Sequence, residues 1–120
     1  MGETIQSIRK SGGGTNEWTL VREITATGTW YDLPSSGFNE LLFLPVVNGV
    51  IWASGILPKS YFDRLTSNDQ TYMLPSGYGN ATEFIYIDVN GSTSPKKIKV
   101  HGAYYGGSVA GTFSLYCYKR

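Results

Sequence analysis

Eighteen consecutive residues, Leu41 to Pro58, carry no charge. That is close to the roughly 20 apolar residues a membrane-spanning helix needs, so this run constrains the fold more than any other. Its punctuation excludes a helix. Asn48-Gly49 stands in the middle, flanked by Val46, Val47, Val50, Ile51 and Trp52. A type I′ turn needs positive φ at both central residues, and Asn-Gly supplies it best. Pro45 would remove a helical hydrogen bond, and Gly49 and Gly55 would weaken a helix further. The β-branched and aromatic neighbours fit a pleated surface. The run therefore predicts a hairpin, about Glu40–Val47 against Val50–Leu57. Both strands are apolar on both faces, which suits the centre of a sandwich. Pro45 cannot donate to a ladder, so it is expected at a bulge or on an unpaired side of its strand.

The rest of the chain keeps a beat of short strands. "EWTLVREIT" alternates Trp18, Leu20, Arg22 and Ile24 against Thr19, Val21 and Glu23, and "GTWYDL" follows, closed by Pro34-Ser35-Ser36-Gly37. "TYMLP" is a short strand around Tyr72, and "KSYFDRLT" is a single helical turn after Pro58. "TEFIYIDV" places Phe84, Tyr86 and Asp88 on one face, and Asn90-Gly91 turns it. "KKIKVHGAYY" sets Ile98 and Val100 against Lys97, Lys99 and His101. "GTFSLYCYK" sets Phe113, Leu115 and Cys117 against Ser114, Tyr116 and Tyr118. About eight strands, parted by Gly, Pro, Asn and Ser, predict an all-β fold: an antiparallel, jelly-roll-like β-sandwich. Residues 15–120 form this head. Residues 1–14 differ, ending in Gly12–Gly14, and read as a flexible segment.

At 120 residues the chain is one domain. Charged residues make up 16% of it, against roughly 25% on average. Ten basic and nine acidic side chains leave a net charge of +1 and no basic face, which argues against nucleic acid. Cys117 is the single cysteine, so no intrachain disulfide forms, and its alternating strand is expected to bury it. The first ten residues show no apolar stretch of a secretory signal.

Catalysis finds little material. One histidine, one cysteine and no clustered carboxylates give no acid–base pair, so no catalytic residue and no enzyme activity is expected. His101 reads as an exposed polar strand residue. Asp63, Asn68 and Asp69 do not match the spacing of a calcium loop, and no metal or cofactor is expected. "YYGGSVAG" lacks the ending of a phosphate loop and joins two strands. Binding finds more. Trp30, Tyr31, Tyr61, Tyr78, Tyr104 and Tyr105 fall in or beside turns, and tyrosine among Gly, Ser and Asn makes a stiff, amphipathic contact surface. Such rings, next to an amide, suit the C–H faces and hydroxyls of sugars. The candidate ligand-binding residues are Tyr78, Asn80, Tyr104 and Tyr105; each is set against the plainer role of packing a small core.

"YDLPSSGFNELLFLPVVNGVIWASGILPKSYF", a Tyr/Gly-rich segment and a closing "GTFSLYCYKR" together resemble C-terminal domains of phage tail fibres and minor tail proteins, over residues 17–120. That resemblance implies a sandwich head capping a trimeric fibre in the virion, joined to other tail proteins and touching a bacterial cell-surface saccharide, with no membrane insertion. Ile5 and Ile8 would then end a stalk, with Gly12–Gly14 as the joint. A monomeric carbohydrate-binding module of a secreted protein, and a purely structural trimerising tip, remain open beside it.

Overall fold

The computed structural model describes residues 17–73, 75 and 82–120. Residues 1–14, with Ile5 and Ile8, lie outside these, as do Tyr78 and Asn80. Among the described residues, ten strands and one short helix follow one another: β1 (Thr19–Ile24), β2 (Tyr31–Asp32), β3 (Glu40–Val47), β4 (Val50–Ile51), β5 (Gly55–Pro58), α1 (Lys59–Arg64), β6 (Asn68–Met73), β7 (Phe84–Asn90), β8 (Lys97–Tyr105), β9 (Ser108–Val109) and β10 (Phe113–Lys119). They build two antiparallel sheets. Sheet A runs β1-β10-β3-β4, with β5 also on β3; sheet B runs β2-β8-β7-β6, with β9 on β8. The fold is the all-β sandwich that the sequence predicts. In sheet A β1 lies beside β10, in sheet B β2 lies beside β8, and β6, β7 and β8 form a meander. Among the described residues no helix is long and apolar enough to cross a membrane.

The hairpin forms as expected, with Asn48 at φ 50° and Gly49 at φ 79°. Its return strand breaks in two. Val47 and Val46 face Val50 and Ile51, but Phe43 faces Gly55, so one extra residue loops out opposite Pro45. Trp52 N–H donates to Pro45 C=O at 2.9 Å, which places the missing N–H of Pro45 on the bulged side. Trp52 itself is buried. Strand β3 is buried on both faces, as its sequence implies, but the return strand is not. It lies at the edge of sheet A, and Val50, Ile51 and Ile56 are about half exposed, at 47%, 49% and 47%.

Inward side chains of the two sheets meet in one core. Ile24, Leu41, Phe43, Val47, Leu115 and Cys117 face Ile85, Ile87, Val89, Ile98, Val100 and Ala103. Each such apolar side chain contributes about 1.5–3 kcal/mol by leaving water. A second cluster covers the outside of sheet A, where Trp18 and Tyr118 lie on Leu42 and Leu44. A bulge between Leu20 and Arg22 explains the first strand. It splits the expected single face, leaving Trp18 and Leu20 outside while Arg22 and Ile24 turn inward. Arg22 then reaches across to the Tyr31 ring of sheet B, 4.8 Å from its centroid.

Candidate functional site

The outer face of sheet B carries the chemistry. Because Ile85, Ile87 and Val89 point into the core, Phe84, Tyr86, Asp88 and Asn90 of β7 point out. Register extends each of these into a row across the sheet. Phe84 faces Tyr104 of β8; Tyr86 lies between Tyr72 of β6 and Gly102; Asp88 lies between Gln70 and Lys99; Asn90 lies between Asn68 and Lys97, which meets Asp32. The face therefore grades from aromatic at one end to charged and then polar at the other.

The rings at the aromatic end touch one another. Centroids are 4.8 Å apart for Phe84–Tyr104, 5.3 Å for Tyr72–Phe84 and 4.8 Å for Tyr72–Tyr86. The row ends on His101, whose ring lies 4.8 Å from that of Tyr86. Gly102 has the Tyr104 ring folded over it: a Cβ there would meet Tyr104 atoms at 3.0 and 3.1 Å. Tyr72 is the most open member, 58% exposed. Loss of solvent raises the Tyr86 hydroxyl above its ordinary pKa, with Tyr72 and Asp88 adding and a hydrogen bond with Gln70 opposing. The Tyr86 phenol stays neutral, as a hydrogen-bonding surface should.

At the charged end, β8 holds one residue more than β7 between the pairs Tyr86–Gly102 and Ile87–Val100, and that residue is His101. The bulge aims its ring along the outer face. His101 Nδ1 lies 3.2 Å from Asp88 Oδ2, and Lys99 Nζ lies 3.6 Å from the same oxygen. Lys99 is also stacked on Trp30, 4.6 Å from the ring centroid. Asp88 is only 6% exposed, and among the described residues its Oδ1 finds no hydrogen-bond partner. A buried acceptor left bare costs about 1–3 kcal/mol. The carboxylate therefore holds more than its own packing requires.

The structure places the sequence candidates unevenly. Tyr104 joins the aromatic row. Tyr105 follows it on the same strand, so alternation turns it to the other side, beside the Gly106-Gly107 turn. Tyr78 and Asn80 lie outside the described residues. Trp30 is drawn in through Lys99, whereas Tyr31 and Tyr61 pack against the core. His101 is exposed, as expected, with 53% of its side chain open, but it has a carboxylate partner that the sequence does not announce. Tyr72, Phe84 and Asp88 also escaped the sequence-level list. Their signal was there in the alternation of "TEFIYIDV" and "KKIKVHGAYY", but it becomes a site only once the two strands are in register.

A second, apolar cleft of about 270 Å³ opens between β5 and β6, walled by Phe43, Leu57, Met73 and Ile87, and meets the ring row at Tyr72. Ser54, Thr71 and Tyr72 are the polar side chains in its mostly apolar lining, which suits an apolar group more than a hydroxylated one. Among the described residues no three His, Cys, Asp or Glu side chains gather as metal ligands would. Comparison with family models, curated proteins and solved structures finds no match.

Proposed function

We propose that the chain is the non-enzymatic tip domain of a phage tail fibre, which attaches the virion to a saccharide of the host cell surface. The carrying observation is the continuous row of rings on the outer face of sheet B, graded into Asp88, Lys99 and His101. Rings on rigid strands offer flat apolar surface to C–H faces, and the polar groups beside them fix orientation. No bond needs to break. The resemblance of "NELLFLPVVNGVIWASGILPKS" to tail-fibre heads supplies the virion setting.

The proposal includes a homotrimer built through sheet A. Support comes from Leu20, Ile51 and Ile56, which stand 50%, 49% and 47% exposed on the same outer face as buried Leu42 and Leu44. Apolar area of that kind is more common on an interface than on a monomer's surface. A second reading, a monomeric carbohydrate-binding module, has its own support: the ring row is complete within one chain.

Sedimentation analysis combined with an oligosaccharide array separates the readings. A trimer that binds is the expected result. A monomer that binds would favour the module, and a trimer that binds nothing would leave a structural tip.

A further inference from the structure

His101 and Lys99 are each held from two sides. The His101 ring is stacked on Tyr86 and tied through Nδ1 to Asp88, while Lys99 is tied to Asp88 and stacked on Trp30. A carboxylate only accepts, so Nδ1 carries a proton towards Asp88, and Nε2 is the ring nitrogen left for a ligand. More than half of the side chain is exposed, at 53%. Lys99 and Asp88 balance each other's charge. The cluster therefore presents two fixed polar groups, the His101 imidazole and the Lys99 ammonium, at the end of a row of rings.

We propose that Asp88, His101 and Lys99 form the orienting subsite for a neutral saccharide, on the premise that this face binds glycan. One ring hydroxyl pairs with His101 Nε2, and a neighbouring hydroxyl oxygen accepts from Lys99 Nζ. The adjoining sugar lies on Tyr86 and Tyr72. Asp88 is a positioning residue: it holds both partners and keeps Lys99 occupied. An anionic sugar would have to compete with Asp88 for Lys99, so uronate chains bind less well than neutral ones.

The test measures binding of the whole chain to immobilised neutral glucose, galactose and N-acetylglucosamine oligomers and to galacturonate oligomers. The unaltered protein should prefer a neutral oligomer. His101→Ala, at an exposed position, should weaken that binding about tenfold, the worth of one good hydrogen bond, with an unchanged melting temperature. Asp88→Asn should free Lys99 and shift the preference towards galacturonate, an outcome that a merely structural role for Asp88 would not produce. Should Asp88→Asn not fold, His101→Ala and the anion preference still decide. If Tyr72→Ala weakens binding while His101→Ala does not, the subsite is wrong and the face still binds glycan. If neither change matters, the glycan face itself falls. Stronger binding of galacturonate by the unaltered protein would overturn the neutral specificity.

Discussion

At Gly91 a methyl group would sit 2.6 Å from the carbonyl oxygen of Leu65 and 2.7 Å from its carbonyl carbon. Backbone cannot step aside as a side chain can, and Gly91 N–H already donates to Ser67 C=O at 2.9 Å. Gly91→Ala should therefore destabilise the domain by about 3 kcal/mol, at the upper end of overpacking costs. Gly49 stands in open space but at φ 79°, so Gly49→Val should cost about 1–2 kcal/mol from conformation alone. Urea denaturation of both variants ranks the two effects. The sequence shows Asn-Gly twice, and only at Asn48-Gly49 does the pair mean a two-residue hairpin. The need for glycine at Gly91 comes from Leu65, a contact made by the fold and invisible to local pattern. Cys117 was legible, because alternation alone buries it. Burial pushes its thiol from 9.0 up to about 12, with Arg22 opposing. The folded state thus favours the protonated thiol. This contribution is complete below pH 9 and lost as pH rises from there to about 12. Cys117→Ala should flatten the alkaline fall in stability, leaving the part due to Tyr61, Tyr86 and Tyr118, whose hydroxyls are also raised by loss of solvent. Native protein should not react with a thiol reagent below pH 9, and rapid labelling would contradict the buried thiol.

Among the elements, long alternating runs were readable and short ones were not. Strands β3, β7, β8 and β10 stand where the sequence puts them, since each shows period-two burial or a doubly buried run. Strand β9 has two residues, too few to display any period. Bulges are the other gap. Those at Leu20–Arg22 and at His101 shift the phase of a strand midway, and nothing in local composition marks them. The second one brings His101 to Asp88, which is why the site's polar end was missed. Tyr72 belongs to edge strand β6 and is 58% exposed, so it tests the aromatic row with little disturbance. Tyr72→Ala should lower stability by about 1 kcal/mol through its contacts with Phe84 and Tyr86. Saccharide binding should fall about tenfold. Calorimetric melting with titration of the same variant checks both.

On the scale of the whole molecule, the two outer faces are unlike each other. Sheet A presents aliphatic side chains around Leu42 and Leu44, and sheet B presents rings and a charged cluster. One face is suited to copies of itself and the other to a hydroxylated ligand. Which face each strand would serve could not be read from the chain, because β1 and β10 pair across almost its full length. Ile56 lies on edge strand β5 and is 47% exposed, so Ile56→Lys should change folding stability by no more than about 0.5 kcal/mol. It should also convert the proposed trimer to monomers in sedimentation. A trimer that survives would move the contact elsewhere. The central claim, that the outer face of sheet B holds the saccharide, is tested most directly by mapping amide chemical shifts while a binding oligosaccharide is titrated in. Shifts gathered on Phe84–Asp88 and Lys99–Tyr104 are the predicted result, and shifts gathered on sheet A or on the far wall of the cleft, Ser54–Leu57, would contradict it.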